Sequence, residues 1–274
     1  LEAMAYVLAR MGEEEESLNW HGAVVCFNSA RLLLEEVKRR DSRIPSVRYS
    51  LGRVLVKLMR LEQASEEFSE AAKQCGKGTV LSDLCIAQVA DVLLLNGSHG
   101  ECVDFCERWL GHVKKDVPLR RVFATALAEA HVTQGSTKLV VQEALKFFEA
   151  VTSREGEAVQ ADFCCLAELY GRMNRFQEAA HLLDQAEAMR PGTWQVPYYN
   201  GLVCVHGADY TAALACLDEA RRRAPMEPGP WSKIGHVLGM MGRARDAEDA
   251  ERKAESIKNE RNSIVAEEVG RGAA

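Results

Sequence analysis

The chain has 274 residues, of which 47% are hydrophobic and 27% charged, and its formal net charge is −6. An acidic chain of this kind argues against a dedicated nucleic-acid-binding surface, which usually needs a basic face. Its longest apolar runs, such as Val92–Leu95, are far too short to span a bilayer.

Nine cysteines are present, an odd number whose spacings form no disulfide framework. This pattern predicts an intracellular, reducing environment, taken as the cytoplasm with an organelle or cilium left open. Because no CxxC pair and no HExxH motif occurs, the sequence predicts neither a metal site nor a cofactor. Cys102 and Cys106 are expected to be buried as small hydrophobic residues.

Pairs of predicted helices recur along the chain. Ala167, Gly201 and Gly235 are each 34 residues apart, and alanines follow them at offsets of twelve and nineteen. Apolar residues spaced three and four apart predict two amphipathic helices in each repeat. The same template, with some altered spacings, extends upstream to Ala23 and Phe27. The predicted repeats, in chain order, are approximately residues 1–40, 45–76, 79–114, 118–153, 158–191, 193–225 and 229–259.

This period resembles that of the tetratricopeptide repeat (TPR), whose pattern is W-x2-L-G-x2-Y, then A-x3-F, then P. The stretch "WSKIG" supplies Trp231, Ile234 and Gly235. The fifth repeat supplies Leu166, Ala167, Tyr170, Ala179, Leu183, Ala186 and Pro191. The resemblance implies an all-α fold, a right-handed α-solenoid of about seven helix-turn-helix repeats over residues 1–260. Residues 261–274 are expected to form a capping helix or tail, either as an extension of the last helix or as a separate one.

Small residues are expected where the two helices of a repeat cross, for example at Gly52 and Ala64, since a larger side chain would push the helices apart. Trp231 is in this register a packing residue and not a recognition residue. The glycines predicted to lie in turns between helices are Gly12, Gly97, Gly135 and Gly242. The acidic run Glu13–Glu16 is predicted to lie in a long turn of the first repeat.

The resemblance also implies a concave surface, built mostly from the first helix of each repeat, that holds an extended peptide or a partner's helix. Residues at its groove positions form the predicted peptide-binding site: Arg53, Lys57, Asp91, Glu129, Glu168, Arg172, Tyr198, Tyr199, Lys233 and His236. The three acidic residues predict a ligand segment with a central Lys or Arg, and the two tyrosines would hold an apolar or aromatic anchor. The alternative interpretation is that all of these are ordinary solvated side chains.

The predicted function is that of a non-enzymatic scaffold or adaptor, a subunit of a multiprotein assembly with one or more protein partners. Neither nucleic-acid binding nor membrane insertion is expected. The sequence shows no cluster of a nucleophile, a base and an orienting group, which catalysis would need. One TPR subclass binds chaperone tails with a set of Lys, Asn and Arg residues, and that set is missing. Two alternatives stay open: an RNA-binding helical-repeat protein and the TPR arm of a longer enzyme.

Overall fold

The computed structural model describes the backbone of residues 1–16, 19–110, 112–113, 117–134, 138–153 and 158–271, and the side chains of these except 127–134, 138–141, 143 and 271. All regular secondary structure in these ranges is α-helical, as the sequence predicts. The helices of the described chain are α1 (Glu2–Glu15), α2 (Trp20–Arg40), α3 (Pro45–Lys57), α4 (Leu61–Cys75), α5 (Val80–Leu95), α6 (His99–Leu110), α7 (Val117–Gln134), α8 (Lys138–Thr152), α9 (Gln160–Arg172), α10 (Phe176–Met189), α11 (Gln195–His206), α12 (Tyr210–Arg223), α13 (Pro228–Met240) and α14 (Ala244–Arg271).

Consecutive helices pack in pairs, and the pairs stack on one another. Within pairs, α1 packs on α2, α3 on α4, α9 on α10 and α11 on α12. Between pairs, α3 packs on α2, α5 packs on α4, and α13 packs on α12. Helix α9 also packs against α11. Two compact units result: unit 1 comprises the described residues of 1–144 and 262–274, and unit 2 comprises those of 145–261. The architecture is a stack of helical hairpins, the fold class that the repeat predicts.

Five of the turns between paired helices share one backbone arrangement. The residue with positive φ in each turn is Met59 (54°), Gly97 (76°), Asn174 (60°), Ala208 (58°) or Gly242 (75°). The following N–H donates to the carbonyl five residues back, as from Arg175 to Tyr170 at 2.9 Å. This Schellman arrangement pairs carbonyls that the end of a helix leaves open. The predicted turn positions of Gly97 and Gly242 are confirmed, whereas Gly135 lies outside the described residues.

Gly12 is not a turn residue, contrary to the sequence prediction, because it lies inside α1. A Cβ on Gly12 would stand 2.6 Å from Cε1 of Phe27, and a Cβ on Gly52 would stand 2.6 Å from Cε1 of Phe68. Both phenylalanine rings are fully buried, so each glycine makes room for a ring at the helix crossing. The prediction that Glu13–Glu16 lie in a long turn is likewise wrong, since α1 continues to Glu15.

Small side chains dominate the apolar core of each unit. In unit 1, one cluster joins α5, α6 and α7. Cys102 and Cys106 are fully buried in it, as predicted, and the Cys102 thiol donates to the Ala90 carbonyl at 3.2 Å. In unit 2, Trp231 packs half-buried against the cluster of α12, α13 and α14, with the Arg221 guanidinium 4.7 Å from its ring centroid. Trp231 is therefore a packing residue, and the Arg221 guanidinium lies over one face of its ring.

The last helix is longer than any other in the described chain. Helix α14 runs without interruption over 28 residues, so residues 261–271 extend the last helix of the array and form no separate cap. Its buried positions Ala247, Ala250, Ala254 and Ile257 follow the helical period. None of the described helices combines the length and apolar character needed to cross a membrane.

Ala208 carries backbone strain that glycine would relieve. An L-residue in the left-handed region costs about 1–2 kcal/mol, so Ala208→Gly should raise the free energy of unfolding by about 1 kcal/mol, measured by urea denaturation. The matched control is Ala215→Gly in the middle of α12, where glycine should lower it by about 1 kcal/mol. Equal effects of the same sign at both positions would contradict the turn assignment.

Candidate functional site

A groove lies between α1 and α3 in unit 1, and its volume is about 550 Å³. Its floor is apolar and includes the buried side chains of Ala5, Phe27 and Val54. Tyr6 and Val7 also line it, and they are 64% and 55% exposed. Two adjacent exposed apolar side chains beside an apolar floor form a surface on which a further apolar surface can pack.

The rim of this groove is charged, and two predicted site residues belong to it. The Arg53 guanidinium donates to Glu13 Oε1 at 2.7 Å, and Arg10 donates to the other oxygen of Glu13 at 3.0 Å. Lys57 Nζ donates to Glu16 Oε2 at 2.6 Å. The acidic residues at the end of α1 are therefore partners of the basic residues on α3.

Asp91, the predicted site residue of α5, is half-buried beside Lys57. Burial raises the pKa of its carboxyl, and the positive charge of Lys57 offsets only part of that rise. The structure thus brings Arg53, Lys57 and Asp91 together on one side of unit 1. The side chain of Glu129 lies outside the described residues.

Glu168 is the most constrained of the predicted site residues in unit 2. Its side chain is 20% exposed, and Oε1 accepts from the Arg172 guanidinium at 2.6 Å and lies 3.9 Å from Nε2 of His206. Burial alone would raise the pKa of the Glu168 carboxyl, but contact with His206 and the charge of Arg172 outweigh it, and the pKa is lowered. Glu168 is therefore held as a carboxylate between two helices, α9 and α11.

Tyr198 and Tyr199 are both half-buried on α11 and point to different neighbours. The Tyr199 hydroxyl lies 3.7 Å from the Cys165 sulfur. The pKa of Tyr199 is well above its usual value, because the Cys165 thiol, burial and the Glu168 carboxylate all disfavour a phenolate. The phenol therefore stays neutral. Tyr198 packs edge-on against Trp194, with ring centroids 5.5 Å apart. Tyr198 also packs against the apolar cluster of α12, α13 and α14, so both tyrosines contribute to packing between repeats.

Lys233 and His236 lie on α13, the first helix of the seventh repeat. Lys233 is half-buried and His236 is exposed. Together with the pairs on α9 and α11, they make up the predicted site residues of unit 2. Asp91 and Glu168, two of the three residues of the predicted acidic centre, belong to different compact units.

Several side chains at these sites were missed from the sequence. His206 stands 34 residues after Arg172, at the same position of its repeat, so the register alone could have identified it. The sequence does not identify Glu13 and Arg10 in this way, because it predicts a turn at Gly12. Once Gly12 is aligned with Gly52, Glu13 takes the position that Arg53 has in the second repeat.

The cysteine thiols differ in their surroundings, and contact with Cys204 lowers the pKa of the Cys216 thiol to about 7. All nine cysteines are free, and burial raises the pKa of Cys85 and of Cys164 to about 12, so both stay protonated at neutral pH. Among the described residues, no cluster of three or more His, Cys, Asp or Glu side chains is arranged to hold a metal ion.

Comparison with known proteins identifies the repeat. Residues 166–228 match the family model of the tetratricopeptide repeat. No curated protein sequence matches the chain at a significant level. Solved structures are similar in fold, although sequence identity is low.

Three of these structures cover most of the chain. The Rap conjugation gene regulator of plasmid pLS20, in complex with the Phr* peptide, is 16% identical with a TM-score of 0.67, over 95% of this chain and 75% of its own. The Cut9–Hcn1 hetero-tetramer of the APC/C is 14% identical with a TM-score of 0.61, over 86% of this chain and 47% of its own. A tetratricopeptide repeat protein from Parabacteroides merdae is 11% identical with a TM-score of 0.58, over 99% of this chain and 100% of its own. At these identities the likeness is one of fold.

Removing the Glu168 charge takes away the carboxylate that accepts from the Arg172 guanidinium, whose side chain is 17% exposed. Glu168→Gln should therefore lower the free energy of unfolding by about 1–3 kcal/mol at pH 7, measured by urea denaturation. Because the folded pKa is lowered, this stabilisation is fully present above the unfolded pKa of about 4.3 and is lost as pH falls through the folded value. The difference between wild type and variant should thus persist from pH 7 to 5 and shrink below about pH 4.

Glu248→Gln, at an exposed position of α14 in the same unit, is the matched control and should change stability little at any of these pH values. A difference for Glu168→Gln that persists unchanged at the lowest pH would contradict the ionic role of Glu168.

Proposed function

Since the chain is a protein of the tetratricopeptide-repeat superfamily, we propose that it is a non-enzymatic scaffold that binds an amphipathic helix of a partner protein. The proposed binding site is the groove between α1 and α3. The observation that carries the proposal is this groove, whose apolar floor lies between an exposed aromatic edge and a charged rim.

The dimensions of the groove suit a short helix. Its lining residues on α1 run from Glu2 to Glu13, which corresponds to about 16 Å of helix at 1.5 Å per residue. A partner helix of about three turns would cover this length. Because an amphipathic helix satisfies its own backbone hydrogen bonds, it needs from the groove only apolar packing along one stripe.

The apolar residues of the groove suit that stripe. Tyr6 and Val7 would pack against the partner from the α1 side, and Val54 lies in the floor on the α3 side. Aromatic side chains that become buried on binding contribute a large share of the energy of an interface. Tyr6 is therefore the proposed anchor of this site.

The charges of the rim favour a partner with an acidic residue. Arg10 and Arg53 share a single carboxylate, that of Glu13, so two positive charges have one negative partner. Their side chains are 56% and 49% exposed, which leaves both guanidinium groups accessible. A carboxylate on the partner beside Arg53 would complete the second ion pair and fix the register of the bound helix.

Relatives in fold are consistent with such a role. The Rap regulator is in complex with a peptide, and Cut9–Hcn1 is a hetero-tetramer. We propose that the residues on α9, α11 and α13, namely Glu168, Arg172, Tyr198, Tyr199, Lys233 and His236, form a separate contact surface for a partner. The preference of that surface for a basic segment, set by Glu168, remains a prediction.

Photocrosslinking can test the groove directly. A benzoylphenylalanine introduced at Tyr6 should crosslink a partner in cells, and mass spectrometry should place the crosslink on an amphipathic helix. The same group at Arg39, an exposed position near the end of α2, should not yield that crosslink. A synthetic peptide of the identified helix then allows the affinity to be measured by fluorescence anisotropy.

Charge reversal gives the decisive comparison. Tyr6→Ala and Arg53→Glu should each weaken peptide binding about tenfold or more. Replacing the peptide's acidic residue by lysine should restore its binding to the Arg53→Glu protein. Binding that is indifferent to both substitutions, or crosslinks that arise equally from position 39, would exclude this groove.

A further inference from the structure

Two cysteine thiols meet between the paired helices of the sixth repeat. Cys204 lies in the last turn of α11 and Cys216 in the middle of α12, and both are half-buried. Helix α11 packs on α12, and Cys204 packs against the apolar cluster of α12, α13 and α14. The Cys204 thiol donates a hydrogen bond to the Cys216 sulfur. The two thiols are therefore in direct contact across the interface of the two helices.

The neighbouring repeats show that these two positions pack together. Thirty-four residues earlier in the chain they hold Tyr170 and Leu182, which pack against the same apolar cluster of α9, α10 and α11. Thirty-four residues later they hold Leu238 and Ala250, which are both buried in the cluster of α12, α13 and α14. Of these three repeats, the sixth carries sulfur at both positions. The thiol contact thus follows from the helix packing that all three repeats share.

The contact gives the two thiols different reactivities. The hydrogen bond from Cys204 lowers the pKa of the Cys216 thiol to about 7, although burial and the Asp209 carboxylate act against it. The same contact, burial and Asp209 raise the pKa of Cys204, which therefore keeps its proton. Since the thiolate is the nucleophilic form of cysteine, Cys216 is the attacking sulfur at neutral pH and Cys204 is a protonated thiol beside it.

We propose that Cys204 and Cys216 form an oxidation site, at which a hydroperoxide converts the two thiols into an intramolecular disulfide between α11 and α12. The Cys216 sulfur attacks one peroxide oxygen, the O–O bond breaks, and Cys216 becomes a sulfenic acid while the other oxygen leaves as water. The Cys204 sulfur then attacks the Cys216 sulfur, the S–O bond breaks, and the hydroxyl leaves as a second water with the Cys204 proton. Hydrogen peroxide gains the two electrons that the two sulfurs lose.

The disulfide would tie the sixth hairpin together across the turn at 207–209. Ala208 in this turn is left-handed, with φ 58°. A cross-link restricts the opened chain more than the folded one, so it stabilises the hairpin that it closes. Oxidation would thereby restrain α11, the helix that carries Tyr198 and Tyr199. The oxidation site lies in unit 2 and the groove between α1 and α3 in unit 1, so the two proposals can fail independently.

Peroxide treatment of the reduced full-length protein tests the disulfide. After about one equivalent of hydrogen peroxide and denaturation in N-ethylmaleimide, Cys204 and Cys216 should carry no label. Cleavage at Asp209 should give two peptides that stay joined until dithiothreitol is added, as mass spectrometry can show. The matched control within the chain is Cys102 with Cys106, two thiols in contact that are both fully buried. Both should be fully labelled.

Alkylation of the reduced protein tests the roles of the two thiols. The rate at which iodoacetamide modifies Cys216 should rise with pH through about 7 in wild type. In Cys204→Ala, which removes the hydrogen-bond donor, the rise should move toward the usual thiol pKa of about 8.5. Cys204→Ser keeps a donor and should retain more of the lowering, but it cannot form the disulfide.

Hydrogen exchange tests the effect on the hairpin. The backbone amides of residues 198–220 should exchange about tenfold or more slowly in the oxidised wild type than in the reduced wild type. Cys204→Ser treated with the same amount of peroxide should show no such slowing.

Four results would overturn the proposal. Two of them concern the oxidised product: Cys204 and Cys216 are labelled as completely as Cys102 and Cys106, or Cys216 goes on to a sulfinic acid while Cys204 stays a free thiol. In the third, the disulfide joins two copies of the chain. In the fourth, Cys204→Ala leaves the alkylation profile of Cys216 unchanged. Far-ultraviolet circular dichroism equal to that of wild type confirms that each variant is folded.

Discussion

The close crossing of the two helices in each pair is the constraint on which the rest of the molecule depends. A glycine in the first helix accepts a large side chain of the second: a phenylalanine against Gly12 and Gly52, and Leu217 against Gly201. Since the helix axes then approach closely, the outward side chains of the first helices are brought into register from one repeat to the next. The groove residues of α1 and α3 face each other for this reason.

The sequence was sufficient to predict the fold and insufficient to predict the polar contacts. A fixed period with small residues in phase defines where helices pair, because a crossing tolerates only a few side chains. It does not distinguish a crossing glycine from a turn glycine, and the prediction of a turn at Gly12 is wrong for that reason. The hydrogen bond from the Asn28 side chain to the Glu268 carbonyl could not be foreseen, because it joins residues 240 positions apart and involves a main-chain atom.

Charges predicted to face a ligand are already engaged within the protein. Arg53 is paired with Glu13, Lys57 with Glu16, and Arg172 with Glu168. The repeat pattern predicts which helix carries each of these residues. It gives no information about their ion-pair partners, since ion pairing depends on side-chain geometry. A ligand carboxylate at Lys57 or Arg172 must therefore exchange one ion pair for another, and the net gain from that charge is small. At Arg53 it would add an acceptor, because Arg53 and Arg10 share the carboxylate of Glu13.

The repeated turns have a consequence for the way the array comes apart. The same left-handed position is occupied by glycine in two turns, by asparagine in one, and by Met59 and Ala208 in two others. Glycine and asparagine adopt this conformation readily, whereas methionine and alanine do so under strain. In a stack where each repeat contacts mainly its neighbours, such differences are not averaged out. The hairpins closed by Met59 and Ala208 therefore store strain, which biases them to be the seams at which thermal fraying starts, while hairpins with relaxed turns stay folded for longer.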